Sequence, residues 1–458
     1  MSEDEVLTDT PPDGSPVEAA DGQRAGDDQG ATPPQPRRRR IRRVALKLGI
    51  ALLSVVLTLG AVEIVFRLLG YQPVYDVYSS PDEFFRHDPA IGWSLTPGAE
   101  GVFVGPRPFP IEYRTRIRVN SLGLRGPDLG RVPPEGLRVL VLGDSWVAGF
   151  EVDEDRTYTS RLERALTDRL GVPVQVINAG VRGYGTDQAL LLYRERLRDL
   201  EPDLVIHHTT GNDPDDNTLL HRMRRVFSKP AFALGADDRV RLVGQPVDRY
   251  PRCSEYRLVD GDVRRMDGRR ARSLCWLQTR LSDHSALFSF ITERLQQNPE
   301  LVEKLYDLGT PTDTGEAMEG DGAPPPLAAD GEAAAPAPSG GRSATDGGAA
   351  GAGHAELAVA APALDHPHRL TSVLVRQMAE DVRADGAGFV LIGQDGDLGA
   401  LDLAAFDREM IQVVRIDEAL EEPGEVLIPN DGHPNELGHE RIAALLADAL
   451  APRLEEPQ

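Results

Sequence analysis

Leu137-Arg138-Val139-Leu140-Val141-Leu142-Gly143-Asp144-Ser145 is a short apolar run that stops on a glycine and delivers a serine. Such a run reads as a buried strand, and the residues just past its end lie where open α/β sheets bind their ligands. Runs of the same kind recur at 174–177, 204–206, 389–392 and 413–416, and helix-length amphipathic stretches at 157–170, 187–200 and 368–384 separate most of them. Apolar strands alternating with amphipathic helices predict a parallel sheet with helices on both faces. The strands after residue 386 complete the sheet begun at 137, so 135–308 and 363–455 read as one domain.

Working outward, residues 1–36 are acidic and nearly free of large apolar side chains, which predicts a disordered tail. Residues 37–69 begin with Arg37, Arg38, Arg39, Arg40, Arg42 and Arg43 and continue into an apolar run over 48–66. At about 1.5 Å per residue that run matches a bilayer core of about 30 Å, so one transmembrane helix is expected. The arginines on its N-terminal flank place the N-terminus in the cytoplasm and the rest of the chain outside. Glu63, costly in hydrocarbon, is expected to pair with Arg67 one turn on. A cleaved signal peptide is disfavoured by the long preceding tail and the missing Ala-x-Ala spacing.

Residues 70–134, rich in Pro, Gly and aromatics, read as an extended lead-in packed onto the domain after it, with strand-like alternation at Tyr113 to Val119. Residues 220–308 hold both cysteines and many arginines and predict a lid of irregular structure over the sheet's C-terminal edge. Residues 309–362 are almost wholly Ala, Gly, Pro, Asp and Glu, the composition of a flexible low-complexity insertion.

A net charge of -23 and no basic stripe in the body of the chain argue against a nucleic-acid binder, which needs a cationic face to displace counterions from phosphates. Cys253 and Cys275 are too few for a four-thiolate zinc site; they form one disulfide in an oxidising compartment or remain two thiols. The carboxylates of Asp213, Asp215 and Asp216 read as loop and capping groups, so neither a metal nor a cofactor is expected.

A serine hydroxyl becomes a useful nucleophile when an imidazole takes its proton and a carboxylate holds that imidazole in one tautomer. Ser145 fills the first role. The stretch Asn430-Asp431-Gly432-His433-Pro434-Asn435 supplies His433 as base and Asp431 as acid. His439 falls within the expected final helix, turned away from the loop, and His207 and His208 adjoin a buried strand and read as structural. Acyl transfer also needs donors aimed at the developing oxyanion. The N–H of Ser145, Gly180 at the end of the second strand and Asn212 at the end of the third would form such a hole. Val147 breaks the Gly-x-Ser-x-Gly elbow of an ordinary α/β-hydrolase.

Gly143-Asp144-Ser145, Gly180, Asn212 and His433, in that order, resemble the four blocks of the SGNH hydrolase superfamily, the GDSL esterases and lipases. Asn120-Ser121-Leu122-Gly123-Leu124-Arg125-Gly126, the stretch from Asn178 to Gln188, and Gly211-Asn212-Asp213 look like its membrane-anchored subgroup. The resemblance covers about 115–220 and 363–455. It implies a flavodoxin-like three-layer α/β/α sandwich with an oxyanion hole of Ser145, Gly180 and Asn212. One departure stands out: the superfamily's usual acid lies three residues before the histidine, where this chain has Asn430, and the carboxylate is Asp431. The implied activity is a membrane-anchored, extracytoplasmic serine esterase acting on ester-linked acyl groups, chiefly acetyl, of an envelope glycan or a lipid-linked substrate. An O-acyltransferase on the same fold and a non-catalytic glycan-binding or assembly protein are the alternatives.

Overall fold

The computed structural model describes residues 36–69, 84–105, 112–133, 135–222, 225–259, 261–282, 284–296 and 366–455. The expected tail over residues 1–36, apart from Pro36, and the expected low-complexity insertion over 309–362 lie outside them.

Helix α1 spans Pro36–Leu68. From Arg40 to Leu68 it is long and apolar enough to cross a membrane, and its apolar window is not buried in protein. The chain divides into two units, residues 1–61 and 62–458, so the last two turns of α1 belong to the second. Glu63 does pair with Arg67, Oε1 to Nε at 2.6 Å.

The lead-in is more ordered than its composition suggests. β1 (Phe85–Asp88) and β2 (Gly92–Leu95) form one antiparallel ribbon, and β3 (Glu100–Gly105) and β4 (Tyr113–Arg118) another. β4 falls on the alternation at Tyr113 to Val119, whereas the other three are defined by burial: Phe85, Ile91, Leu95 and Phe103, with Ile117 of β4, join the core on one face of the central sheet.

That sheet begins with β5 (Leu137–Gly143), which leads into α2 (Ser145–Ala148) and α3 (Tyr158–Leu170). β6 (Val174–Gly180), α4 (Thr186–Leu192), β7 (Leu204–His208) and α5 (Asp213–Thr218) come after them. The chain then leaves the sheet. β8 (Leu219–His221), β11 (Tyr256–Val259) and β12 (Asp262–Arg265) make a three-stranded antiparallel sheet, and β9 (Ala231–Leu234) and β10 (Val240–Val243) a hairpin. Helices α6 (Arg269–Ser282) and α7 (Ala286–Gln296) come next. The expectation of an irregular lid is therefore corrected: the segment has regular structure and its own small core around Leu220, Ala231, Val243, Tyr256 and Leu258. Cys253 and Cys275 form a disulfide, Cα to Cα 5.7 Å, tying α6 to the loop before β11.

After α8 (His366–Ala384) the central sheet is completed by β13 (Gly388–Gly393) and β14 (Gln412–Arg415), and α9 (Glu436–Glu455) closes the fold. The five strands are all parallel, in the order β6-β5-β7-β13-β14. Because strand side chains alternate, Val139, Val141, Leu204, Ile206, Val390 and Ile392 meet α3 and α9 on one face. Leu140, Leu142, Val205, Phe389 and Leu391 meet α4 and α8 on the other. The result is a three-layer α/β/α sandwich with flavodoxin-like strand order, whose direction reverses between β5 and β7. Ser145 comes after the first of these strands and Asn212 after the second, so both stand at the crevice where such sheets bind ligands.

Candidate active site

The nucleophile candidate opens a helix of one turn, and each end of that turn is held. Asp144 caps it, with Oδ1 accepting from Trp146 N at 2.9 Å and Oδ2 from Thr210 Oγ1 at 3.0 Å. Burial pushes the Asp144 carboxyl up, while those two donors oppose the shift. At the far end the buried Arg125 guanidinium donates to the carbonyls of Ala148, Gly149 and Val152, and Asn178 Nδ2 donates to Val147 O at 2.7 Å. Orphan carbonyls at a helix C-terminus attract a cation, which gives a physical role to an arginine that sequence reading noted only as part of a phrase.

His433 reaches Ser145 from a tight loop before α9. Ile428 N donates to His433 O at 2.9 Å and Gly432 N to Ile428 O at 2.8 Å, so Asp431 and His433 stand on one short turn. Asn435 then caps α9, its Oδ1 accepting from Leu437 N and Gly438 N. His433 Nε2 lies 2.8 Å from Ser145 Oγ, within hydrogen-bond reach.

Behind the imidazole stand two carboxylates. Nδ1 is 3.2 Å from Asp431 Oδ1 and 3.8 Å from Glu151 Oε1. Glu151 is too far for a hydrogen bond and Asp431 meets Nδ1 as an ionic contact, so among the described residues the buried Nδ1 has charged neighbours but no hydrogen-bond acceptor. Burial alone would lower the His433 pKa, but the charge of Glu151 and the contact with Asp431 outweigh it and raise it. Burial likewise works against the Asp431 carboxylate, and His433, Arg182 and Tyr113 together hold it below its usual range. Tyr113 Oη donates to Asp431 Oδ2 at 2.8 Å, and its own pKa is raised by burial and by both carboxylates, so it remains a donor. Arg182 pairs with the buried Glu151. Glu151, Tyr113 and Arg182 were not anticipated, because nothing in their local sequence marks them.

Asn430, the position of the superfamily's usual acid, turns away: its N and Nδ2 donate to Glu112 at 3.1 and 2.8 Å. His439 is buried in α9, where Nδ1 accepts from Tyr158 N at 3.2 Å and burial lowers its pKa to about 3. His207 and His208 are buried in β7 with pKa values pushed down to about 4 and about 3 by burial. Among the described residues, Glu151, Asp431 and His433 also form a group whose ligand atoms could converge on a cation. Arg182, Tyr113 and Ser145 already engage those three side chains.

The expected oxyanion hole needs one correction. Gly180 N donates to Asn178 Oδ1 at 3.1 Å, so its N–H is spent inside the fold. Its role is steric: a Cβ there would stand 2.3 Å from Ala148 N and 2.6 Å from Val147 Cβ. Three residues on, Gly183 is half-exposed at φ +77°, and its N–H meets no acceptor among the described residues. The Ser145 N–H is likewise unpaired among them. Asn212 is exposed at the end of β7, with Nδ2 donating to Asp216 Oδ2 at 2.8 Å and Oδ1 at 3.0 Å from Thr210 Oγ1, whose one proton it shares with Asp144. That leaves one N–H of its amide for another acceptor.

Residues 141–258 match the GDSL-like lipase/acylhydrolase family. The chain carries a GDSL-type hydrolase domain. That class consists of serine hydrolases acting on ester bonds, and the Ser145–His433 pair has the geometry it requires. The match ends before the His433 loop, which reaches Ser145 through the 2.8 Å contact. No curated protein matches the chain in sequence. Among solved structures, a GDSL-like lipase from Bacteroides thetaiotaomicron is 11% identical, with 71% of this chain and 93% of that one covered and a TM-score of 0.28. An acetyl-xylooligosaccharide esterase variant from Geobacillus is 11% identical over 69% and 94%, TM-score 0.30. A lipase from a goat rumen metagenome is 12% identical over 68% and 97%, TM-score 0.29. At scores of this size the assignment rests on the family match and on the residues themselves.

Proposed function

We propose that this protein is a membrane-anchored, extracytoplasmic serine esterase that removes an acyl group, chiefly acetyl, from an envelope glycan or lipid-linked substrate through an acyl-enzyme. The observation that carries the reading is the 2.8 Å approach of His433 Nε2 to Ser145 Oγ at the sheet's switch point. His433 takes the Ser145 proton as Oγ attacks the ester carbonyl, and the Ser145 and Gly183 N–H groups with the Asn212 amide receive the oxyanion. The imidazolium, held by Asp431, returns the proton to the leaving alcohol, leaving an acyl-serine. Water activated by the same imidazole then releases the acid.

The anchored, outward-facing placement is supported by the apolar length of α1, by the arginines before it and by the Cys253–Cys275 disulfide, a bond favoured in oxidising compartments. The test is to treat the protein with a fluorophosphonate probe and with p-nitrophenyl acetate beside Ser145→Ala. Labelling and turnover confined to the wild type are expected; equal labelling of both, or of neither, sinks the proposal.

A further inference from the structure

The outer end of α1 does more than end. Glu63 accepts at both carboxylate oxygens from the start of α7: Ala286 N at 2.9 Å, Leu287 N at 3.0 Å and Ser285 Oγ at 2.8 Å. Arg67, while paired to Glu63, donates to His284 O at 2.7 Å, and Phe66 meets Phe290 edge-on at 5.3 Å. A carboxylate that would be costly in hydrocarbon is thus used to cap a lid helix. Glu63 lies five residues before the end of α1, which is about 8 Å along a helix axis. Glu63, Phe66 and Arg67 thus tie the last two turns of α1 to the start of α7 within the second unit.

Helix α6 packs against α7. Its inner side is set by Ala271, Cys275 and Ser282, all buried, with Cys275 bound to Cys253. Its outer side carries Arg269, Arg270, Trp276, Leu277, Arg280 and Leu281, all exposed, with Trp276 60% exposed and Leu277 48%. The Arg280 guanidinium lies over the Trp276 ring at 5.9 Å. Ile291 on α7 is 44% exposed. Tryptophan and leucine beside arginines is the composition of a surface that rests at a bilayer interface, rings at headgroup level and guanidinium groups on lipid phosphates.

We infer that the outer face of α6, with Ile291 of α7, is a membrane-docking surface that seats the lid on the bilayer into which α1 inserts. The inference rests on the anchored reading above. Its occupant is the phospholipid interface: anionic headgroups meet the arginines, and the upper acyl chains meet Trp276, Leu277 and Leu281. A lid held there would draw on substrate in or near the membrane.

The three tryptophans of the chain, Trp93, Trp146 and Trp276, all lie outside α1, so the anchor itself contributes no tryptophan signal. The experiment is to reconstitute the full chain into vesicles of phosphatidylcholine and phosphatidylglycerol, with plain or with brominated acyl chains, and to compare Trp276→Phe. Wild-type emission is expected to fall by about one third in brominated vesicles, one tryptophan of three, and the fall should vanish in the variant. Failure of the protein to float with vesicles would remove the anchored reading. Flotation with unchanged emission, or with quenching that persists in Trp276→Phe, would overturn the docking surface alone; self-association detected by sedimentation with that face protected would assign it to a second copy instead.

Discussion

Glu151 Oε1 lies 3.8 Å from His433 Nδ1, a second carboxylate behind an imidazole that already has Asp431 Oδ1 at 3.2 Å. The two differ in what else they hold. Asp431 is on the same turn as His433 and accepts from Tyr113, whereas Glu151 is buried, pairs with Arg182 and leaves Oε2 without a hydrogen-bond partner among the described residues. We assign orientation of the base to Asp431 and a field effect to Glu151.

That assignment sets a pH dependence. A general base works when neutral, and both carboxylates raise the His433 pKa above the ordinary imidazole value of about 6.5. Activity is therefore present above the raised pKa and lost as pH falls through it. Removing either carboxylate should move the acid limb of kcat/KM to lower pH. Asp431→Asn should also lower the plateau by about 10²- to 10⁴-fold, the scale of a misoriented base. Glu151→Gln should shift the limb with a smaller plateau loss. Profiles of wild type and both variants decide it: an unmoved limb in Glu151→Gln means the second carboxylate is not felt.

The residues around the oxyanion position should respond differently to alanine. Gly180→Ala forces a Cβ to 2.3 Å from Ala148 N, so the nucleophile turn must shift and the thermal midpoint should drop. Asn212→Ala removes a donor from an exposed loop and should cost about 10²- to 10³-fold in kcat while leaving the midpoint nearly unchanged. Gly183→Ala places a side chain at φ +77° and should cost turnover through a displaced N–H. Thermal melts and steady-state kinetics on the three variants separate the cases.

Lys229, in the segment between β8 and β9, pairs with Asp187 at the start of α4, and both side chains are buried. Lys229→Met leaves Asp187 without its cation, and an abandoned buried charge costs about 3–5 kcal/mol. The double change Lys229→Met with Asp187→Leu should recover much of that loss. Denaturant titration of the three chains measures it; additive losses would mean the pair is not coupled.

The Cys253–Cys275 bridge closes a loop of 22 residues in sequence separation, which the chain-entropy treatment values at about 3 kcal/mol. Cys253→Ser with Cys275→Ser should speed proteolysis of α6 before any other element and lower stability by about that amount. Mass spectrometry of the first cleavage sites checks the order.

Much of this molecule is local chemistry, and local chemistry is legible. Each central strand is an apolar run, α3 and α8 carry a 3.6-residue stripe, and the alternation of strands and helices leaves a parallel three-layer sandwich as the consistent packing. The meeting of Ser145 and His433 was also readable, because Ser145 ends a buried run and His433 shares a short turn with a carboxylate. The lid was misread as irregular since its strands of three or four residues are too short to carry a period.

The sequence by itself therefore determined the sheet, the apolar helix α1 and the pairing of Ser145 with a histidine before the last helix. Only the tertiary structure decided that Gly180 spends its N–H on Asn178, that Glu151 and Tyr113 stand around the base, that Arg125 holds the nucleophile turn, and that Glu63 caps α7. The reason is physical. Which way an N–H points depends on backbone torsions, and which charges meet depends on residues tens or hundreds of positions apart, and neither leaves a periodic trace along the chain.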